Sequence, residues 1–326
     1  MQSRQLFQRK RTMSDISEFP VSTTLHFYSN ATRCVADFYQ PAGAGPFPVV
    51  VMAHGLGGTR GMRIPAFAQR FVAAGYACLA FDYRHFGDSD GEPRQLLDIK
   101  RQLEDWHAAL AHARSLAEVD PERVAIWGTS FGGGHVLTIA AEDPQVAAVI
   151  SQCPFTDGLA SSLVTQPLVS IKLTALAVLD RLGAMLGARP VMAALAGQPG
   201  ETAFMTSPDS WGGYHGLIAP GASNRNEIAA RFALDIIRYY PGRRTPGIQA
   251  PVLFSVCDPD SVAPAKATLR HAGRAPRHEI KRYPYGHFAI YVGKPFEEVV
   301  ADQVDFLLRT VPVAPKNNEP ERRSRG

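Results

Sequence analysis

Cysteine is scarce in this chain: four in 326 residues, at positions 34, 78, 153 and 257, with no CxxC pair and no Cys/His spacing of the kind that holds zinc. Such scatter argues against a disulfide framework or a metal site and points to reduced thiols in a cytoplasmic protein. An unbroken apolar run is also missing. The longest apolar region, 171–197, is interrupted by Lys172, Asp180, Arg181 and Arg189, so no membrane span is expected. The N-terminus carries basic residues with no apolar stretch behind them, which predicts no signal peptide, and Met13 can serve as the start. Nor does the interior hold a basic block. Of the net charge of +4, MQSRQLFQRKRT contributes four positive charges and KNNEPERRSRG a net two. The ends, 1–18 and 313–326, therefore read as solvated, disordered tails, and no nucleic-acid partner is expected. No internal repeat is visible.

What is present is a large globular core. With 45% hydrophobic and 20% charged residues, the chain suits one large domain, or one domain with an insertion. Two extended segments, 21–29 and 33–41, form an expected hairpin around Asn30. VVVMAHG then reads as a strand covered on both faces. Helix IPAFAQRFVAAG, strand YACLAFD, the long amphipathic helix LDIKRQLEDWHAALAHARSL and strand RVAIWG follow. Further on, QVAAVISQ, PVLFSV, KATLRHAG, HEIKRYP and FEEVVADQVDFLLRTV continue the alternation. Such alternation predicts an α/β fold with a mostly parallel sheet and helices on both faces. The rhythm breaks between about 157 and 248, a helix-rich stretch with no convincing strand. We read 19–156 and 249–312 as two parts of one core and 157–248 as a helical cap over the strand ends.

Chemistry concentrates in VAIWGTSFGGGHVL, residues 124–137. A strand, a sharp turn and a helix lift a serine above the sheet edge only if its neighbours are small, and Gly128 and Gly132 flank Ser130. A serine hydroxyl needs a base, and the base needs an orienting acid. The favoured base is His287 in YPYGHFAIY, after the last expected strand. PVLFSVCDPDSVAP supplies the acid, with Asp260 preferred because SVAP leads into the next helix; Asp258 and, more distantly, Asp157 stay open. HGLGG at 54–58 can turn the Leu56 amide toward the serine, and Phe131 offers a second amide, together a place for a developing oxyanion. His54 then serves that turn structurally.

The ordered set HGLGG, FDYRHFGDSDG, GTSFGG, CDPDSVAP and YGHF resembles the α/β-hydrolase superfamily over roughly 21–311. The resemblance implies an eight-stranded sheet, a Ser130–His287–Asp260 triad and a Leu56/Phe131 oxyanion hole, with no cofactor and no metal. The capped plan is similar to dienelactone-hydrolase and acyl-peptidase-like esterases. His85 departs from the pattern, standing where many relatives have glycine, so it either enters the site or packs. A serine at 130 sets the chain apart from haloalkane dehalogenases and epoxide hydrolases, which use aspartate there. The activity implied is hydrolysis of an ester, thioester or lactone of a hydrophobic small molecule. Acyl transfer or cyclisation, cofactor-free haloperoxidase or perhydrolase chemistry and a non-catalytic binding role are the alternatives. In the cap, Leu173, Leu176, Leu179, Met185, Met192, Phe204, Met205, Trp211 and Tyr214 are candidates for an apolar pocket, although an inserted helix must bury such residues anyway. A homodimer is compatible with everything above.

Overall fold

The computed structural model describes residues 22–219 and 224–313. The expected tail 1–18 and the residues beyond Val313 lie outside those ranges. Val313 itself is held to the body, its carbonyl accepting from Arg123 at 2.7 Å. In chain order the first part holds β1 (Ser22–Ser29), β2 (Thr32–Tyr39), β3 (Phe47–Ala53), α1 (Ile64–Ala73), β4 (Ala77–Phe81), α2 (Ile99–Ser115), β5 (Val119–Thr129), α3 (Phe131–Glu142) and β6 (Ala148–Gln152). The second part holds β10 (Val252–Cys257), α8 (Ala265–Ala272), β11 (His278–Tyr283) and α9 (Gly293–Thr310).

Eight of these strands form one sheet in the order β1-β2-β4-β3-β5-β6-β10-β11. Only the pairings of β2 with β1 and β4 are antiparallel. Asn30 and Ala31 both take positive φ in the two-residue turn between β1 and β2, the geometry that matches the twist of a hairpin. Val49, Val50, Val51, Met52 and Ala53 of β3 are fully buried, as a central strand covered on both faces requires. The fold is the expected mostly parallel α/β sheet.

The insertion differs from expectation. Beside α4 (Gly158–Ser162), α5 (Pro167–Met185), α6 (Ser210–Gly216) and α7 (Ala233–Ile236), it contains β7 (Met192–Ala196), β8 (Ala203–Met205) and β9 (Glu227–Ala229). These make a separate three-stranded sheet in the order β8-β7-β9. MAALA, AFM and EIA are too short and too poor in β-branched residues to show a two-residue period. The stretch Pro241–Gly247 packs on α3 and α8, so the chain has already returned to the core before residue 248.

A buried ion pair holds the cap together. Asp180, on the inner face of α5, accepts from the Arg231 guanidinium at 2.7 and 2.8 Å, from the Arg231 amide at 2.8 Å and from the Val191 amide at 2.9 Å. It thus joins α5 to the start of β7 and to the turn after β9. Burial alone would raise the Asp180 carboxyl; the Arg231 hydrogen bonds outweigh it, and the net direction is downward. Stability from this site is therefore present above the unfolded-state value and fades as pH falls through the lower folded one. Removing the carboxylate strands a cation in its place. Asp180→Ala is expected to cost about 3 kcal/mol, seen as a lowered thermal midpoint and faster proteolytic cleavage within 157–240.

Candidate active site

Ser130 stands between the end of β5 and the first residue of α3, with φ 55° and ψ −118°. A non-glycine residue there stores strain on the order of 1–3 kcal/mol, and the surrounding contacts must hold it. A Cβ on Gly128 would overlap the Gly132 carbonyl, and one on Gly132 would overlap the carbonyl of His54. The corner closes only because both positions lack a side chain. Ser130 is anchored through its own backbone, donating to Gln152 O at 2.9 Å while its carbonyl accepts from Phe155 N at 2.9 Å.

Parallel strands deliver the partners to the same sheet edge. Asp260 lies just past the end of β10 and His287 just past the end of β11. His287 Nε2 is 3.0 Å from Ser130 Oγ, and its Nδ1 is 2.7 Å from Asp260 Oδ2. The other oxygen of Asp260 accepts from the amides of Val262 and Ala263 at 2.8 and 2.6 Å. His287 and the Asp260 side chain are almost wholly buried. Burial alone would push the imidazole down toward its neutral form; the Asp260 carboxylate overrides this, and the His287 value stands well above 6.5.

Of the other candidate acids, Asp258 is on the surface, paired with Arg282 at 2.8 Å, and Asp157 caps α4 by accepting from Ala160 N at 2.9 Å. Neither contacts His287. His54 Nδ1 donates to Gly55 O at 2.9 Å, and burial lowers the imidazole below its usual value. An added Cβ at Gly55 would come within 2.9 Å of the Ser130 Cβ, so the 54–58 turn lies directly against the serine. Leu56 and Phe131 share the wall of one cavity with Ser130, and no hydrogen bond among the described residues occupies either amide.

The pocket candidates divide. Tyr214 is buried beside the site; its hydroxyl donates to Gly57 O at 3.0 Å and accepts from Asn224 at 3.0 Å. It braces the turn that carries Leu56. Trp211 does not line either cavity at the site: it is 41% exposed and packs against His215, the two rings tilted by 39°. His85 does not enter either. It is buried at positive φ in the loop after β4, with Nε2 3.1 Å from Arg101. Leu179 and Met185 face outward, whereas Leu173, Phe204 and Met205 line the cavity.

One neighbour has no counterpart in the sequence reading. Cys153 Sγ lies 4.0 Å from His287 Nε2 and 3.5 Å from the Tyr291 hydroxyl, buried beside the imidazole. All four cysteines are free and buried. Cys153 follows β6, a strand adjacent to β5, and only the register of the sheet brings it there.

Two cavities meet at Ser130. The larger, about 830 Å³ including its mouth, is walled by Phe155, Leu173, Phe204, Met205, Ile236 and Val262, with Ser170 and Thr174 of α5 in its roof. A smaller one, about 420 Å³, contains His287, His54, Tyr214, Leu217 and Phe288. Leu56 and Met205 border both.

A strained serine at a strand–helix corner, aligned with a buried imidazole and carboxylate at the carboxyl ends of parallel strands, defines a hydrolase of α/β type. A family profile described as the alpha/beta hydrolase fold matches residues 48–294, and the chain belongs to that family; it is an enzyme. It is 60% identical over 303 residues to the quorum-quenching protein AidA of Acinetobacter baumannii, covering 93% of this chain and 99% of that protein. A polyketide transferase of Stachybotrys chlorohalonatus is 27% identical over 80% of this chain and 89% of its own. Among solved structures, that of DcsB with its substrate analogue superposes with a TM-score of 0.77 at 24% identity, over 89% of this chain and 99% of that one, a likeness of fold. No helix among the described residues is long and apolar enough to cross a membrane.

Proposed function

We propose that the protein hydrolyses an ester, thioester or lactone of a hydrophobic small molecule through an acyl-enzyme on Ser130. The observation that carries this reading is the aligned relay from Asp260 through His287 to Ser130, opening into an apolar cavity. Ser130 Oγ attacks the carbonyl carbon as His287 Nε2 takes its proton. Asp260 holds the Nδ1–H and balances the imidazolium charge. The Leu56 and Phe131 amides receive the oxyanion. The bond to the leaving group breaks as His287 returns the proton to it, and water repeats the sequence to free Ser130.

The proton donor orients the substrate. His287 belongs to the smaller cavity, so the leaving group sits there, and the acyl group takes the larger apolar one. The quorum-quenching relative, similar over nearly its whole length, supports a small diffusible signal with a cleavable acyl bond as the substrate. The transferase relative supports a second reading, in which an alcohol or amine replaces water at the acyl-enzyme.

The test is a panel of p-nitrophenyl esters from acetate to decanoate, with mass-spectrometric mapping of a fluorophosphonate label. A label on Ser130 and turnover of medium acyl chains are expected; a label elsewhere, or none, would count against the reading. Added alcohols and amines separate transfer from hydrolysis by product. Leu173→Trp adds bulk to the wall of the larger cavity, so kcat/KM for decanoate should fall tenfold or more, about 1.4 kcal/mol, with acetate little changed. If acetate suffers equally, the acyl group is not in that cavity.

The base works as neutral imidazole. Because Asp260 raises the folded value above 6.5, kcat/KM should climb with pH through an acid limb above that of an ordinary histidine. The sign for stability is opposite: the same raised value contributes below the unfolded pKa and fades as pH rises through the folded one.

A further inference from the structure

Helix α5 is apolar on two opposite sides. Val169, Leu173 and Ala177 are buried against the cap, while Leu168, Ile171, Leu179, Leu182, Met185 and Leu186 at its end are 55–87% exposed. With the exposed Ala175 between them, Leu168, Ile171, Leu179, Leu182 and Leu186 follow one another at three or four residues and form one stripe that runs the length of the helix, with Met185 at its edge. These six side chains leave on the order of 800 Å² uncovered, above the 300–600 Å² of the largest patch on a typical monomer. A standard interface buries about the same area on each partner. Val178, Leu163 and Val164 extend the patch.

The stripe is nearly uncharged. Arg181 is engaged by Asp235 at 2.6 Å, and Asp180 is buried, leaving Lys172 at the edge. That is too little basic charge for an anionic lipid surface, which takes clusters of Lys and Arg. It does suit an identical stripe, since no like charges meet at its centre. A two-fold axis near residue 177 sets Leu168 opposite Leu186 of a second copy, and the small Ala175 and Gly183 opposite Leu179 and Ile171, with Lys172 and Leu182 meeting at the edge. We infer that the outer face of α5 is the interface of a homodimer, an antiparallel pairing of α5 with α5 of a second copy. Ser170, Leu173 and Thr174 of the same helix face the larger cavity, so the dimer sets two cavity roofs back to back.

The experiment is sedimentation equilibrium of the full chain over a wide concentration range, with Leu179→Glu beside it. Wild type is expected at twice 35.4 kDa and the variant at 35.4 kDa, with an unchanged circular dichroism spectrum. A wild type monomeric throughout would overturn the inference, as would a Leu179→Glu variant that stays dimeric. Because Leu179 is exposed, the substitution leaves the fold intact. Val178→Cys, near the axis, should cross-link to its own copy under mild oxidation, whereas Leu168→Cys should not; the reverse pattern overturns the antiparallel register. Phosphatidylglycerol vesicles supply the remaining arm: co-sedimentation of a monomeric wild type, abolished in Leu179→Glu, assigns the face to lipid instead. None of these readouts depends on Ser130.

Discussion

Ser130→Ala is expected to lower kcat on any ester substrate by about 10⁴–10⁶-fold, since under the proposed reading it removes the nucleophile, and such a loss costs nearly as much as removing the whole relay. The fold should survive. Alanine keeps the Cβ, and the corner at Ser130 is held by backbone hydrogen bonds to Gln152 and Phe155 rather than by the hydroxyl. Circular dichroism and the thermal midpoint should therefore match wild type while turnover and fluorophosphonate labelling vanish together. The other nucleophilic atom near His287, the Cys153 thiol, cannot substitute. It is buried beside the imidazole and does not border either cavity, so no carbonyl reaches it. Retained turnover in Ser130→Ala would remove the acyl-enzyme at this serine from the reading.

The core was readable because its signals are local. VVVMA is apolar at every position, as burial on both faces demands, and GTSFGG combines a strand end, a turn and a helix start in six letters. Parallel strands then send Asp260 and His287 to the edge where Ser130 stands, and a linear reading of strand ends recovers that. The cap was less legible. β7, β8 and β9 are three to five residues each, and their pairing is decided by contacts across the insertion, not by periodicity.

Residue types alone misplace the accessory groups for the same reason. Trp211 and Tyr214 sit three residues apart, yet one packs against His215 at the surface and the other braces Gly57 beside the serine. Leu173 and Leu179 look alike in the sequence, but they lie on opposite sides of α5. Asp180 reads as a break in an apolar run, whereas it is the acceptor at the centre of the cap. Cys153 and the imidazole are 134 residues apart and meet only through sheet register.

The choice between two aspartates in CDPDSVAP is where a sequence reading and a geometry can be separated by one experiment. Asp260→Asn should lower kcat by about 10³–10⁴-fold, since an amide cannot hold Nδ1 protonated and opposite Ser130 as a carboxylate does. The loop should stay in place: the Asp260 oxygen that accepts from Val262 and Ala263 has an amide-oxygen equivalent, and Ser261 donates to Asp209 of the cap at 2.7 Å. The acid limb of kcat/KM should also move to lower pH, because burial then acts on His287 without the opposing carboxylate. Asp258→Asn breaks only an exposed pair with Arg282 and should leave kcat within about twofold, the scale of a surface ion pair. If Asp258→Asn were the crippled variant, Asp260 could not be the group that orients His287. A fall in kcat for Asp260→Asn with no movement of the pH limb would instead give that carboxylate a structural part, separate from the charge on the imidazole.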